Sequence, residues 1–275
     1  MQKLAHELQT AYEIAKEAAA LVREYAGKKI EVDHKAGNEP VTEADRRASE
    51  LIVARLRSAF PTDAILSEEM PDDGSRLHSE RVWMVDPIDG TKDFIRGDDG
   101  YAVMIGLAVQ AKPLVGVVAQ PATGKTYGAI VGGEAWLEVR GHRQPLRTST
   151  LGELKGVRFV ASKSHRTPQI EAIRHRLGIQ DETNIGGVGL KVGLIAEDIR
   201  DLYIYPGTRS KLWDSCAPEA ILHAVGGKMT DLYGGALIYD TPELWNMNGL
   251  VASNGPLHDT VIEALQEALK GLTID

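Results

Sequence analysis

The sequence predicts a mixed fold, α+β in its first half and α/β in its second, and three observations predict it. Apolar residues recur at steps of three and four through most of the first 60 positions. Short β-like runs joined by tight connections follow, as far as about residue 139. Beyond about residue 157, helical and strand-like segments alternate. Helical periodicity, then a hairpin meander, then alternation is the order these two classes leave in a chain.

Each element has its own justification. Leu4, Leu8, Tyr12, Ala15, Ala19 and Val22 are separated by Glu7, Glu13, Lys16, Glu17 and Arg23, an amphipathic helix that ends near Gly27. A polar stretch containing glycine, residues 34–39, leads to Pro40 and a second helix over about 42–59, with Ala48, Leu51, Ile52 and Leu56 on its inner face. β-like runs occupy 64–67, 81–85, 101–109, 114–119, 125–131 and 135–139. Tight connections such as Ala111-Lys112-Pro113 and Gly132-Gly133 make this meander largely antiparallel. A strand at 157–161 then precedes a helix at 168–177, and a helix at about 190–196 precedes a strand at 202–205. A helix at 215–225, short strands up to 238 and at 249–252, and a last helix over about 257–269 complete the chain. The polar stretch from Arg147 to Gly156 divides it into 1–150 and 151–275. The first unit carries most of the acidic motifs described below.

Composition sets the class. At roughly 150 residues per domain, 275 residues make about two domains or one large one, with ample core. Lys+Arg number 31 and Asp+Glu 39, a net charge of −8 that argues against a nucleic-acid polymer as partner. A small anionic ligand remains compatible, because a metal ion inverts the local field. Cys216 is the single cysteine, which excludes an intrachain disulfide and a Cys-rich metal site and suits a reducing compartment, the cytoplasm. The longest mostly apolar run, 101–109, is far short of a membrane span, and the opening residues lack the apolar core of a signal peptide.

Three acidic clusters carry the chemistry. Leu66-Ser67-Glu68-Glu69 closes an apolar run; Val85-Asp86-Pro87-Ile88-Asp89-Gly90-Thr91 closes another; Trp213-Asp214-Ser215 opens a helix. Charges at the ends of buried elements are costly unless paired or metal-bound, and hard oxygen donors favour magnesium or manganese over zinc. Pro87 stiffens the turn between Asp86 and Asp89, so two carboxylates and the Ile88 carbonyl can converge on adjacent cations. Gly90 and Thr91 open a short helical turn whose N–H groups suit an anion beside the metals. That combination serves phosphate-ester hydrolysis. Each motif also has a plain reading: Asp-Pro-x-Asp-Gly as a turn, Glu68-Glu69 as a solvated loop pair, Asp214-Ser215 as a helix cap, and Asp45, three residues after Thr42, as half of a capping box. Their joint occurrence favours a site.

Those residues, Ser67-Glu68-Glu69, Asp86-Pro87-Ile88-Asp89-Gly90-Thr91 and Trp213-Asp214-Ser215 in that order and spacing, resemble the inositol monophosphatase superfamily of magnesium-dependent, lithium-sensitive phosphatases across nearly the whole chain. The resemblance implies a layered αβαβα sandwich of the inositol monophosphatase and fructose-1,6-bisphosphatase type. Within the superfamily, Gly90-Thr91-Lys92-Asp93-Phe94, Ala161-Ser162-Lys163-Ser164-His165, Gly187-Val188-Gly189-Leu190-Lys191 and the stretch from Trp213 to Lys228 look most like the 3'(2'),5'-bisphosphate nucleotidases.

Carried over by position, the resemblance implies that Glu68, Asp86, the Ile88 carbonyl, Asp89 and Asp214 hold two or three Mg2+ ions, or Mn2+, with Glu69 a weaker or more distant ligand. Asp45 with Thr91 would activate the attacking water. Gly90, Thr91, Ser164, His165, Lys191 and Asp214 would contact substrate, and His165 and Lys191 are the cations suited to a second phosphate. His165 also reads as a loop histidine and Lys191 as a surface residue starting a helix. The implied reaction converts adenosine 3',5'-bisphosphate to AMP and phosphate. Its alternatives are an inositol or sugar phosphate as substrate, or a non-catalytic metal- and anion-binding regulator, which the full ligand set disfavours. There are departures: no carboxylate lies between Asp201 and Asp214 to bind inositol hydroxyls, and Tyr205 stands where some nucleotidases carry arginine. Tyr205 reads equally as a purine-stacking or a core tyrosine. The expected partner is a small phosphorylated substrate, with no membrane; a homodimer is admitted.

Overall fold

Burial follows the periodicity closely in the two N-terminal helices. The computed structural model describes residues 4–28, 31–35, 39–164 and 166–271. Helix α1 (Ala5–Tyr25) buries Leu8, Ala11, Ile14, Ala15, Ala18 and Val22, and α2 (Glu43–Ala59) buries Ala44, Ala48, Ile52 and Leu56. Between them, β1 (Val32–His34) and β2 (Pro40–Thr42) pair as a short antiparallel hairpin. Three-residue strands are too short to show as alternation in a sequence.

The meander is a seven-stranded sheet in chain order: β3 (Ala64–Ser67), β4 (Arg81–Asp89), β5 (Ala102–Val109), β6 (Lys112–Gln120), β7 (Lys125–Ile130), β8 (Ala135–Val139) and β9 (His142–Pro145). Only β3 and β4 pair in parallel; the other neighbours are antiparallel. Every residue of β9 is exposed, which removes the apolar signal that would have marked it. A short helix, α3 (Thr91–Arg96), leaves the end of β4.

The second sheet has the order β11-β10-β12-β14-β13, built from β10 (Arg158–Ser162), β11 (Asp181–Ile185), β12 (Leu202–Tyr205), β13 (Lys228–Thr230) and β14 (Leu250–Ser253). Parallel pairing through β11, β10 and β12 gives way to antiparallel pairing at β14 and β13. Polar β11 was not expected, and the expected strand character up to 238 stops at Thr230. Helices α4 (Pro168–Arg176), α5 (Val188–Ala196), α6 (Leu212–Ala224) and α7 (His258–Ala268) accompany this sheet.

Alternation within strands distributes the layers. Val103, Ile105, Val115 and Val117 face α1 and α2, while Met104 and Val118 pack with Leu190 of α5 and Ala217 and Ile221 of α6. Val160, Tyr203 and Ala252 of the second sheet cover the other side of α5 and α6, with Val192, Ile195 and Leu222. Phe159, Leu202 and Val251 face outward to Ile170 and Ile173 of α4 and Val261 and Leu265 of α7. The result is the αβαβα sandwich that the resemblance implies.

Two glycines set the central spacing. Gly106 and Gly116 are register partners, and a Cβ on either would lie 2.7 Å from the Ala217 nitrogen or 2.2 Å from its carbonyl oxygen. Their bare backbones let α6 lie directly on the sheet. Within α6 the Glu219 side chain, 4 % exposed, accepts the Tyr239 hydroxyl, and burial pushes its carboxyl up to about 8.

Candidate active site

In a regular strand, residues three apart face opposite sides. Asp86 and Asp89 do not, because the β4–β5 register slips between them: Asp86 pairs with Met104, but Asp89 with Ala102. Pro87 occupies this bulge, where its missing N–H costs no ladder bond. Asp86 Oδ1 accepts the Ile88 N–H at 3.0 Å. Gly90 follows at φ +95°, and a Cβ there would lie 2.5 Å from the Gly100 carbonyl, so only glycine closes the strand into α3. Asp86, Ile88, Asp89, Gly90 and Thr91 thus line one cleft of about 200 Å³.

Parallel pairing of β3 with β4 delivers Glu68 to the same wall, with its N–H on the Val85 carbonyl at 3.1 Å. Glu69 is not brought there. Lys35 bridges the two, 2.8 Å from Glu68 and 2.7 Å from Glu69, and burial with the Glu68 charge pushes the Glu69 carboxyl up to about 7. Glu69 therefore supports Lys35 instead of facing the cleft.

Asp45 reconciles its two readings, because a carboxylate has two oxygens. Oδ2 accepts the Thr42 N–H at 2.8 Å and hydroxyl at 2.5 Å, completing the cap of α2. Oδ1 faces the Thr91 hydroxyl at 3.3 Å, which also reaches the Ile88 carbonyl at 3.0 Å. Burial pushes Asp45 up to about 6 despite the Thr42 bonds. Asp214 also doubles as a cap. Helix α6 starts three residues earlier than expected, so Asp214 sits in its first turn and accepts the Lys211 N–H at 2.8 Å.

The remaining cleft wall comes from the second sheet. Gly187, at φ +57°, lets the start of α5 approach Asp89, whose Oδ2 takes the Gly189 N–H at 2.8 Å. Lys191 is not a surface residue: it is 2 % exposed, its ammonium 5.1 Å from the Tyr203 ring centre, and burial pulls it down to about 8 although Asp89, Asp93 and Asp214 favour its charge. Ser164 lines the cleft and donates to Asp93 at 3.2 Å. His165 lies outside the described residues. Arg209, Glu39 and Asp93 also line the cleft, beyond the residues the sequence pattern points to. Arg209 had a signal: the segment before Asp214 that lacks carboxylates carries this cation.

The electrostatics suit a hard cation. Burial, then the charges of Glu68 and Asp89, raise Asp86; burial, then Asp89 and Glu68, push Asp214 up to about 8. Among the described residues no three acidic, histidine or cysteine side chains form a ready-made cage. The fit lies in the donor chemistry: four carboxylates and a carbonyl, all oxygen, on one cleft wall. A larger open groove of about 850 Å³ lies along residues 147–158, but its Asp198 and Asp201 are spent on Arg158.

A five-layer sandwich whose acidic cleft suits hard metal ions defines a phosphomonoester hydrolase. The sequence pattern of the inositol monophosphatase family matches residues 3–270, and the chain belongs to that family. The 3'(2'),5'-bisphosphate nucleotidase CysQ of Escherichia coli K12 is 36 % identical over 226 residues, covering 82 % of this chain and 89 % of its own. Inositol monophosphatase 3 of Xenopus tropicalis is 30 % identical over 93 % of this chain and 76 % of its own. The crystal structure of CysQ from Bacteroides thetaiotaomicron superposes with a TM-score of 0.78, at 26 % identity over 93 % of this chain and 99 % of that one. The protein is a metal-dependent hydrolase of small phosphomonoesters. Among the described residues no helix is long and apolar enough to cross a membrane.

Proposed function

We propose that this chain is a magnesium-dependent 3'(2'),5'-bisphosphate nucleotidase that converts adenosine 3',5'-bisphosphate to AMP and phosphate, and is inhibited by lithium. The observation that carries the reading is one cleft that joins an all-oxygen acidic wall to Lys191 and Arg209. An acidic wall repels phosphate without metal ions, and cations elsewhere in the cleft suit a substrate with a second phosphate. Similarity to nucleotidases such as that of E. coli supports the choice. The inositol phosphate reading draws on the Xenopus relative, but Glu39, a carboxylate suited to hydroxyls, is held by Lys211 at 2.7 Å.

Glu68, Asp86, the Ile88 carbonyl, Asp89 and Asp214 would hold two or three Mg2+ ions, with Mn2+ as a substitute. Bound ions supply positive charge to the phosphoryl oxygens and lower the pKa of the attacking water. The chain's own residues manage the proton. The Thr91 hydroxyl takes a proton from water as it passes its own to Asp45 Oδ1, while Thr42 anchors Oδ2. A carboxyl near pH 6 suits a base that works at neutral pH. Gly90, Thr91 and Asp214 border the reacting phosphate; Ser164, His165 and Lys191 meet the rest of the molecule.

Phosphate release from adenosine 3',5'-bisphosphate, inositol 1-phosphate, fructose 1,6-bisphosphate and AMP, with Mg2+ and with excess chelator, tests the proposal. The bisphosphate nucleotide should be preferred, and chelator should abolish turnover. Preference for inositol 1-phosphate would replace the reading with its alternative.

A further inference from the structure

The cations on the cleft differ in what they have left to give. Lys191 is buried among Asp89, Asp93 and Asp214, so its charge already balances theirs. Lys92 has a partner of its own. Arg209 is exposed and makes no ion pair among the described residues. The nearby carboxylate on the cleft, Glu39, is taken by Lys211.

Arg209 is nevertheless held in place. It lies on the loop between β12 and α6, and both sides of that loop are pinned. On one side the Tyr205 ring packs against the loop at Gly207. The ring lies so close to Gly207 that a Cβ there would come within 2.7 Å of the Tyr205 hydroxyl, so the loop folds over the tyrosine only with glycine at that position. On the other side Asn246 donates its N–H to the Ser210 carbonyl at 2.7 Å and its side-chain amide to the Lys211 carbonyl at 3.0 Å. Arg209 lines the cleft on a loop fixed at its backbone, so ordering that backbone costs little entropy on binding. The planar fork of arginine matches two phosphate oxygens at once.

We infer that Arg209 is the residue that reads the second phosphate of the substrate, the one that is not hydrolysed, with Tyr205 positioning it through the loop backbone. The inference rests on the nucleotidase reading above and names the residue that makes it selective. Tyr205 then serves as the support of the loop, not as a platform for the base.

The test compares adenosine 3',5'-bisphosphate with adenosine 3'-phosphate, which presents the same reacting group without the second phosphate, on the full chain with Mg2+. Arg209 is exposed, so Arg209→Ala and Arg209→Lys should both fold. Arg209→Ala should lower kcat/KM for the bisphosphate by roughly ten- to a hundredfold, mostly through KM, the scale of one charge-assisted contact. Its loss on the monophosphate should be no more than about twofold, and Arg209→Lys should recover part of the bisphosphate rate because a point charge without the fork remains. Equal losses on the two substrates, or an unaltered bisphosphate rate in an active enzyme, would overturn the assignment of Arg209 alone. A wild type that leaves the bisphosphate untouched would overturn the nucleotidase reading and this inference with it.

Discussion

Replacing Glu219 with glutamine should stabilise the protein by an amount that pH controls. Glu219 lies on the buried face of α6, 4 % exposed, accepting the Tyr239 hydroxyl, with His223 Nε2 3.6 Å away. Burial pushes its carboxyl from the ordinary 4.5 up to about 8. Between those values the folded protein keeps a proton that the unfolded chain has released, so stability falls as pH rises through this window. Each unit is worth roughly 1.4 kcal/mol, which makes the cost about 3 kcal/mol at pH 7 and about 5 kcal/mol above pH 8. Glutamine is neutral throughout, has nearly the same shape and still accepts from Tyr239. Glu219→Gln should therefore match the parent near pH 4.5 and exceed it by about 3 kcal/mol at pH 7. At roughly 2 cal/mol/K of unfolding entropy per residue, that is about 5 °C in Tm for this chain. Urea denaturation of both proteins at pH 5, 7 and 8.5 measures the difference. A constant offset across the three would refute the buried neutral acid, and a less stable variant at pH 8.5 would refute the sign.

Two further substitutions probe the cleft and the layer behind it. Asp89→Asn removes one charge facing Asp86 and Asp214, so kcat should fall by roughly three orders of magnitude while thermal stability holds or rises; phosphate release within tenfold of the parent would remove Asp89 from the ligand set. Gly116→Ala drives a Cβ to 2.2 Å from the Ala217 carbonyl and should cost about 1–3 kcal/mol by overpacking, with lower activity because α6 carries Asp214. An unchanged urea midpoint would show that the helix does not depend on that bare backbone.

The elements legible in the sequence are those whose burial repeats along the chain. Leu8, Ala15 and Val22 mark α1 because one face of a long helix packs on one sheet. Hairpin β1–β2 and strands β9 and β11 left no such mark, since they are short or polar and exist through partners that neighbouring strands supply. The acidic wall was legible because β4 runs apolar up to Asp86 and then breaks at Pro87. The bulge that turns Asp86 and Asp89 to the same side was not legible, since it is defined by register with β5.

Chain order alone marks the acidic and hydroxyl residues proposed here to meet the metal and the phosphate. Local order in the chain specifies strand ends, turns and caps, and these carry Glu68, Asp86, Asp89, Thr91 and Asp214. How the charges pair depends on contacts between distant parts of the chain. Lys35 claims Glu69 from 34 residues away, Lys211 claims Glu39 from 172 residues away, and Asp89 at the end of β4 offsets the buried charge of Lys191 on α5. Those pairings leave Arg209 exposed on the cleft with no ion pair among the described residues, an outcome no local pattern contains, because a charge is free or spent according to what the fold brings beside it.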